Sequence, residues 1–187
     1  WFGAAIGLLV AGIASAIIIK PDLVWYAQDR LRYWLDPWQD PLGLGHQVIQ
    51  SIYAIGSGGL FGLGIGNSRQ KHLYLPEPQN DFIFAVVCEE LGFIGALMVI
   101  FLFIALMWRG AVIACKAKDR FGSMLVVGII TQVTVQAALN IAVVTKTIPN
   151  TGISLPFFSY GGTSLMMLLG EMGVVLSVSR QSSINTG

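Results

Sequence analysis

Four long apolar segments constrain the fold of this chain more than any other feature of its sequence. They cover residues 1–19, 82–108, 121–145 and 155–179. Each is long enough to cross a bilayer, because a membrane helix needs about 20 mostly apolar residues. Charged residues make up only 11% of the 187 positions, whereas they make up about a quarter of a soluble domain. The sequence therefore predicts an all-α polytopic membrane protein with four transmembrane helices.

The positions of the basic residues predict the orientation of these helices. The short connection 109–120 is strongly basic, with Arg109, Lys116, Lys118 and Arg120. The positive-inside rule places such a connection in the cytoplasm. By alternation, residues 20–81 and the turn 146–154 lie on the extracytoplasmic side, and the tail 180–187 lies in the cytoplasm.

The net charge, the separation of the two cysteines and the spacing of the two histidines exclude several classes of function. The net charge is +1 without a long basic run, so no nucleic-acid partner is expected. Cys88 and Cys115 would lie about 40 Å apart along a helix, too far for a disulfide, and His46 and His72 lack metal-ligand spacing. The chain starts with Trp1 and has no basic segment before its first apolar run, so we expect a fragment that begins inside a larger membrane protein.

The connection 20–81 is too long and too rich in charged and aromatic residues to be a passive linker. Its part 29–38 resembles a segment at the lipid interface, and residues 47–55 are compatible with a short helix. Six glycines follow, at positions 56, 58, 59, 62, 64 and 66. They allow tight or re-entrant backbone, but no strand precedes them and no Gly-Lys-Ser/Thr follows, so a nucleotide-binding loop is not predicted. Function is therefore expected in this connection.

Asp81 is the leading candidate for chemistry, because it ends this connection and directly precedes an apolar segment. An acid at a helix N-terminus also has a structural explanation, since capping and the helix dipole favour it by about 0.5–2 kcal/mol. The functional explanation depends on the ionisable residues Arg69, Lys71 and Glu77 upstream. Both explanations stay open from the residues alone.

Polar side chains also interrupt the apolar segments. They are Glu89 and Glu90 in the second segment, Gln132, Gln136 and Asn140 at intervals of four in the third, and Glu171 in the fourth. Ionisable groups at membrane depth are candidates for function. Polar stripes more commonly hold neighbouring helices together, with hydrogen bonds of about 0.6 kcal/mol. A structural role and the lining of a cavity are the two alternatives for this set.

The stretch from Asn140 to Ser164, NIAVVTKTIPNTGISLPFFSYGGTS, closely resembles the signature of the SEDS family, which includes the FtsW, RodA and SpoVE proteins of bacterial division, elongation and sporulation. Upstream motifs resemble the same family in the same order: LDPW at 35–38, DP at 40–41, QS at 50–51, AIG at 54–56, SRQK at 68–71, YLPE at 74–77, DFIFA at 81–85 and EELG at 89–92. The chain departs from the family at Lys146 and Thr147, where Gly and an aliphatic residue are common, and at Asn150.

The resemblance implies a fold of ten membrane helices, of which this chain would hold the last four and the large extracytoplasmic loop between helices seven and eight. It also implies an activity. FtsW-like proteins polymerise lipid II, an undecaprenyl-pyrophosphate-linked disaccharide pentapeptide, into β-1,4-linked glycan strands, and they work with a class B penicillin-binding protein. We therefore expect a multi-pass protein of the bacterial plasma membrane at the division septum, with divisome proteins and membrane lipids as further partners.

The family's essential loop aspartate falls on Asp81, which would act as the general base for the acceptor hydroxyl. The predicted substrate-binding residues are Lys71, Arg30, Arg69, Gln50, Ser51 and Glu77. The cations among them would hold pyrophosphate oxygens, although Arg30 has an equal alternative as an interfacial anchor. No resident cofactor and no metal-binding residue are predicted, and the resemblance leaves a divalent cation open.

Two other functions compete with the enzyme, a lipid II flippase and a non-catalytic division scaffold. A flippase needs charged sites that are accessible from both leaflets, and a scaffold needs no such site. Here the acid and the basic cluster lie in the extracytoplasmic connection only, which favours the enzyme.

Small residues indicate where a partner's membrane helix would bind. Gly92, Gly95 and Ala96 on the second segment and Gly128 on the third allow close approach of another helix. Packing within the protein explains these residues equally well, and the family resemblance favours the penicillin-binding protein.

Overall fold

The computed structural model of the protein describes residues 21–41, 43, 45–66 and 81–183. The first predicted span lies outside these residues, as do Arg69, Lys71 and Glu77. The described residues form five α-helices and a short 3-10 helix at Pro37–Gln39. The α-helices are α1 (Pro21–Leu35), α2 (His46–Gly58), α3 (Ile83–Lys116), α4 (Arg120–Val144) and α5 (Gly162–Ser183). The prediction of an all-α protein is confirmed.

Three of the described helices are long and apolar enough to cross a membrane, namely Ile83–Lys116, Arg120–Val144 and Gly162–Gln181. Helix α3 has 34 residues in two parts that meet at Gly92, and the part after Gly92, residues 93–116, is about 36 Å long, which exceeds the hydrocarbon core of about 30 Å. It continues through the region 109–116 that the basic residues place in a connection. Only residues 117–119 separate it from α4, whose N-cap Asp119 accepts a bond from the Gly122 amide at 2.8 Å.

The last span also differs from its predicted limits. Residues 155–161 are not helical, and α5 begins at Gly162. Pro156 lacks the amide proton that a helix requires, and Phe157 adopts a left-handed backbone with φ 66°. This irregular stretch belongs to the connection between α4 and α5 (residues 145–161), which contributes to the candidate site.

Among the described residues, those up to His46 form a compact unit of their own. The start of its 3-10 helix is fixed by Asp36, whose carboxylate accepts bonds from the Trp38 amide at 3.3 Å and from Gln39 Nε2 at 3.1 Å. Arg32 Nε in turn donates to Gln39 Oε1 at 2.9 Å. The family motif LDPWQ thus closes the C-terminal end of α1 by local hydrogen bonds.

The second unit begins at Gln47, and its centre is the pair α3 and α4. A buried cluster at one end joins α2, α3, α4 and the α4–α5 connection, through residues that include Ala54, Phe82, Phe84, Ala137, Val144 and Leu155. A second cluster at the other end joins Ile113, Ala114, Val126, Ile130 and Val175. Close packing of this kind holds membrane helices together, because burial from lipid gives no hydrophobic gain.

Helix α3 is interrupted at Gly92, where φ is 69° and ψ is −168°. Here the segment that follows α2 (residues 58–64, the glycine segment) replaces the broken helical hydrogen bonds. The carbonyls of Glu89 and Glu90 accept from the amides of Leu63 and Gly64 at 2.9 and 3.1 Å. The amides of Phe93 and Ile94 donate to the carbonyls of Gly59 and Leu60 at 2.9 and 3.3 Å. Two carbonyls and two amides of α3 beside the break thereby have backbone partners in the glycine segment.

The close approach of the two backbones explains Gly58 and Gly62 in this segment as well as Gly92 on α3. A Cβ at Gly92 would collide with the backbone of Gly62 and Leu60, and one at Gly58 would collide with the carbonyl of Cys88. Gly62 also has a positive φ of 78°. At Gly58 and Gly62 the tight backbone that the sequence predicts is therefore a contact with α3, whereas a Cβ at Gly56, Gly59 or Gly66 would meet nothing within 4 Å.

We expect Gly92→Ala to destabilise the full-length protein. The φ/ψ values at this position are almost restricted to glycine and cost other residues about 1–3 kcal/mol, and the added methyl meets backbone atoms that cannot rotate away. Thermal unfolding of the purified protein in detergent measures the effect. Gly170→Ala on α5 is the matched control, because a Cβ there meets nothing within 4 Å. Equal unfolding temperatures for the two variants would contradict the close contact between the α3 backbone at Gly92 and the glycine segment.

Candidate functional site

Asp81 lies half-buried in a turn at the start of α3. The N-cap position of that helix belongs to the buried Phe82, and the first backbone bond runs from the Ala85 amide to the Phe82 carbonyl at 2.9 Å. Asp81 therefore stands one residue before the cap position. Its own carbonyl is outside the helical ladder and needs another partner.

The α4–α5 connection lies against Asp81. Gly152 has a φ of 68°, and a Cβ at this position would lie 3.7 Å from Asp81 Oδ2. The neighbouring Ile153 carbonyl and the Asp81 carbonyl both accept hydrogen bonds from Asn140 Nδ2, each at 2.7 Å. One face of the carboxylate is thus bounded by the glycine of the family motif PNTG.

Helix α4 ends in a Schellman motif that directs the chain toward this position. The Lys146 amide donates to the Val143 carbonyl at 2.9 Å, and the Thr147 amide donates to the Ala142 carbonyl at 2.8 Å. Lys146 has a φ of 59°, a left-handed conformation that glycine adopts most easily. This geometry explains why the family commonly has glycine where this chain has lysine.

Side-chain amides hold the rest of the connection. Asn150 Oδ1 accepts from the Gly152 amide at 3.0 Å, and Asn150 Nδ2 donates to Gln47 Oε1 of α2 at 3.4 Å. Gln136 Nε2 donates to the Ser154 carbonyl at 3.1 Å. Two residues of the predicted polar stripe, Gln136 and Asn140, therefore bind backbone of the connection, in keeping with the structural alternative for that stripe.

A cavity of about 700 Å³ opens beside the start of α3. Among the described residues, its lining includes Ile83, Phe158, Ser159, Tyr160, Gly161, Gly162 and Leu165. The walls are largely apolar, with the hydroxyls of Ser159 and Tyr160 as polar groups. A second cavity, of about 750 Å³, lies along α4 and includes Gln132 and Gln136 in its lining.

The predicted substrate-binding residues have different placements. Gln50 is half-buried on α2, whereas Ser51 is 1% exposed and its hydroxyl donates to the Val48 carbonyl at 2.8 Å within the same helix. Arg30 is half-buried on α1, in the separate N-terminal unit. Lys71, Arg69 and Glu77 lie outside the described residues. In the parts of the chain that the structure describes, no group of three or more His, Cys, Asp or Glu side chains could hold a metal ion.

The acidic side chains of the apolar segments are partly or fully buried. Glu89 is 1% exposed. Glu90 Oε1 and Glu171 Oε2 are buried and have no hydrogen-bond partner within residues 21–41, 43, 45–66 and 81–183. These oxygens are not assigned a role in the site.

The sequence analysis missed two neighbours of Asp81, namely Gly152 and the amide of Asn140. The sequence contains a feature that marks each of them. Gly152 lies inside the stretch that resembles the family signature, and Asn140 is a polar residue in an apolar segment. Nothing in the spacing of the chain pairs positions 81 and 140, because the contact is made in three dimensions.

The fold and the site define a class of protein, a multi-pass membrane protein with an acid at the start of one membrane helix. The model of the FtsW/RodA/SpoVE cell cycle proteins matches residues 1–184. The chain belongs to this family, and the resemblance seen in its motifs is confirmed.

Individual relatives agree with the family. The chain is 53% identical over 178 residues to stage V sporulation protein E of Bacillus subtilis (strain 168), with 95% of this chain and 48% of that protein covered. It is 44% identical over 177 residues to the "Probable peptidoglycan glycosyltransferase FtsW" of Trichlorobacter lovleyi, with 91% and 46% covered. The chain thus spans about half the length of the curated relatives it matches.

A solved structure reported as "Structural coordination of polymerization and crosslinking by a peptidoglycan synthase complex" has the same fold. Its TM-score to this chain is 0.65 at 33% sequence identity, and the match covers 97% of this chain and 50% of the other. The similarity supports the helical fold of the described residues.

The left-handed residue at the end of α4 gives a prediction about stability. Lys146→Gly is expected to unfold at a higher temperature than Lys146→Ala, because only alanine retains the Cβ that opposes the left-handed conformation. The free energies of unfolding of the two variants should differ by about 1 kcal/mol. Both variants lose the ammonium group, so their difference isolates the backbone effect. The measurement is thermal unfolding of the full-length protein. A more stable alanine variant would show that position 146 is not left-handed.

Proposed function

We propose that the protein is a peptidoglycan glycosyltransferase that polymerises lipid II into β-1,4-linked glycan strands, with Asp81 as the general base. The observation that carries the proposal is the position of Asp81, half-buried at the start of α3 and bounded by Gly152. The relatives named as probable peptidoglycan glycosyltransferases support the reaction class.

The chemistry requires a base at such a position. In lipid II the sugar is α-linked to pyrophosphate, and the product linkage is β, so a single in-line displacement inverts the anomeric carbon. The acceptor 4-hydroxyl forms the new C–O bond and gives its proton to the Asp81 carboxylate. The bond to pyrophosphate breaks, and pyrophosphate leaves with the electron pair. A positioned carboxylate base contributes typically about 10²–10⁴-fold to such a step.

The leaving pyrophosphate needs positive charge, and Lys71, Arg30 and Arg69 are the proposed ligands, with Gln50, Ser51 and Glu77 in the wider binding set. Burial of the Ser51 hydroxyl inside α2 favours an indirect role for that residue. The largely apolar cavity of about 700 Å³ next to α3 suits a substrate that carries a lipid chain. We assign the site to the extracytoplasmic side of the plasma membrane at the division septum.

Asp81→Asn tests the base. The amide has nearly the same shape but cannot accept the proton, so polymerisation of labelled lipid II by the full-length protein should fall by about 100-fold or more. Asp119→Asn is the control, because asparagine caps a helix as well as aspartate does. A flippase or a scaffold would make no glycan in this assay with the wild-type protein. An active Asp81→Asn protein would place the base elsewhere.

We also propose that a class B penicillin-binding protein binds α3 and α4 through its membrane helix, together with divisome proteins at the septum. The surface differs from the one that the small residues of α3 indicate, since Gly92, Gly95 and Ala96 are buried within the chain, whereas Gly128 on α4 is exposed. A Cβ at Gly95 would collide with the side chain of Leu91. These three residues therefore serve internal packing.

The better candidate for the partner's binding surface is the shallow groove between α3 and α4. Its volume is about 120 Å³, and its lining includes Ile100, Phe103, Ile104, Met107, Thr134 and Ala138. The similarity to a peptidoglycan synthase complex supports a partner for this fold. The groove lies in membrane-spanning parts of both helices, where a single transmembrane helix can pack.

Ala138→Phe tests this surface. The added ring would fill the groove, and co-purification with the penicillin-binding protein should fall by about tenfold or more, which corresponds to about 1.4 kcal/mol. Basal polymerisation should stay close to normal. Ala105→Phe makes the same change at an exposed position of α3 that is not in the groove lining. Unchanged co-purification of Ala138→Phe would place the partner elsewhere.

A further inference from the structure

Two backbone carbonyls beside the Asp81 carboxylate share one buried partner. Asn140 has no exposed surface, and its Nδ2 donates to the carbonyls of Asp81 and Ile153, each at 2.7 Å. Neither carbonyl belongs to a helix, because Asp81 precedes α3 and Ile153 lies in the α4–α5 connection. The amide therefore satisfies two groups that the local backbone leaves without a helical partner.

The chemistry of the contact determines the orientation of the amide. Both acceptors are carbonyl oxygens, so only the NH₂ group, with two protons, can face them. The reversed orientation would bring three oxygen atoms together. Asn140 Oδ1 is buried without a hydrogen-bond partner in the part of the chain that the structure describes. The side chain is thus held by its donors.

The two bonds join Asp81 to the segment that bounds its carboxylate. Ile153 directly follows Gly152, where a Cβ would lie 3.7 Å from Asp81 Oδ2. The separation of the carboxylate from this segment therefore depends on Asn140. Gln136, one helical turn earlier on α4, anchors the same connection through the next carbonyl, that of Ser154, at 3.1 Å.

We propose that Asn140 is a positioning residue for Asp81, one that fixes the carboxylate of the base relative to the acceptor hydroxyl. The inference rests on the proposed function, because it requires Asp81 to be the base. Asn140 contacts backbone and not the substrate, so its loss should change the alignment of the reacting groups more than substrate binding. Misplacement of a reacting group by about 1 Å can cost about 10²-fold in rate.

The test compares two substitutions in the full-length protein, each of which replaces a side-chain amide by an apolar group of similar size. The measurement is the steady-state polymerisation of labelled lipid II. Asn140→Leu removes the bonds to both Asp81 and Ile153, and Gln136→Met removes only the bond to the connection. We expect kcat of Asn140→Leu to fall by about tenfold or more with KM within about twofold of wild type. Gln136→Met loosens the connection but leaves the bonds of Asn140 to both carbonyls in place, so its kcat should fall clearly less than that of Asn140→Leu, by about threefold at most. Asn140→Ser has a single donor that cannot hold both carbonyls, so it should also lower kcat.

The outcomes separate this inference from the proposed function. Equal losses in Asn140→Leu and Gln136→Met would overturn positioning in favour of a general role in folding, and a raised KM with normal kcat would overturn it in favour of a role in substrate binding. If Asn140→Leu does not accumulate, the same criterion is applied to Asn140→Ser. Normal kcat in the Asn140 variants, together with an inactive Asp81→Asn protein, would overturn the positioning role alone. An active Asp81→Asn protein would overturn the proposed base and this inference with it.

Discussion

The need to pair every backbone N–H and C=O group inside a membrane governs this structure. Lipid offers no hydrogen bonds, so a break in a membrane helix is tolerated only where other protein groups replace the lost partners. At Gly92 the replacements are backbone groups of the glycine segment. At Asp81 and Ile153 they are the two protons of a single asparagine amide. The irregular parts of the fold are therefore located where such partners exist.

The same constraint explains how an acid is held at the start of a membrane helix. A side chain on a free loop would sample many positions, whereas the backbone of Asp81 is bonded to α4 and lies next to Gly152. The connection that carries Gly152 is fixed by the Schellman end of α4 and by bonds from Gln136 and Asn150. Each hydrogen bond contributes only about 0.5–1.5 kcal/mol. Together they restrict the geometry around one carboxylate.

Much of the fold was predictable, because the length of an apolar segment and the glycine or proline residues that interrupt it are local signals in the sequence. The apolar runs predicted α3, α4 and α5, and the family motifs pointed to Asp81. The extension of α3 past Trp108 was missed because basic residues at a membrane surface are compatible with helix as well as loop. The break at Gly92 was also missed, since its partners lie about 30 positions earlier. Asn140 was recognised as polar, but the partners of a buried amide are set by tertiary packing and not by spacing.

A neutral amide suits this position better than a cation does. Lysine or arginine at position 140 could also donate to carbonyls, but a buried positive charge beside the carboxylate would favour its ionised form and weaken its attraction for a proton. It would also bring an ion into an apolar segment, at a large cost in desolvation. Asn140 binds the Asp81 backbone through two donors without adding charge. For the proposed base, this means that Asn140 holds the Asp81 backbone without adding a charge that would favour the ionised form of the carboxylate.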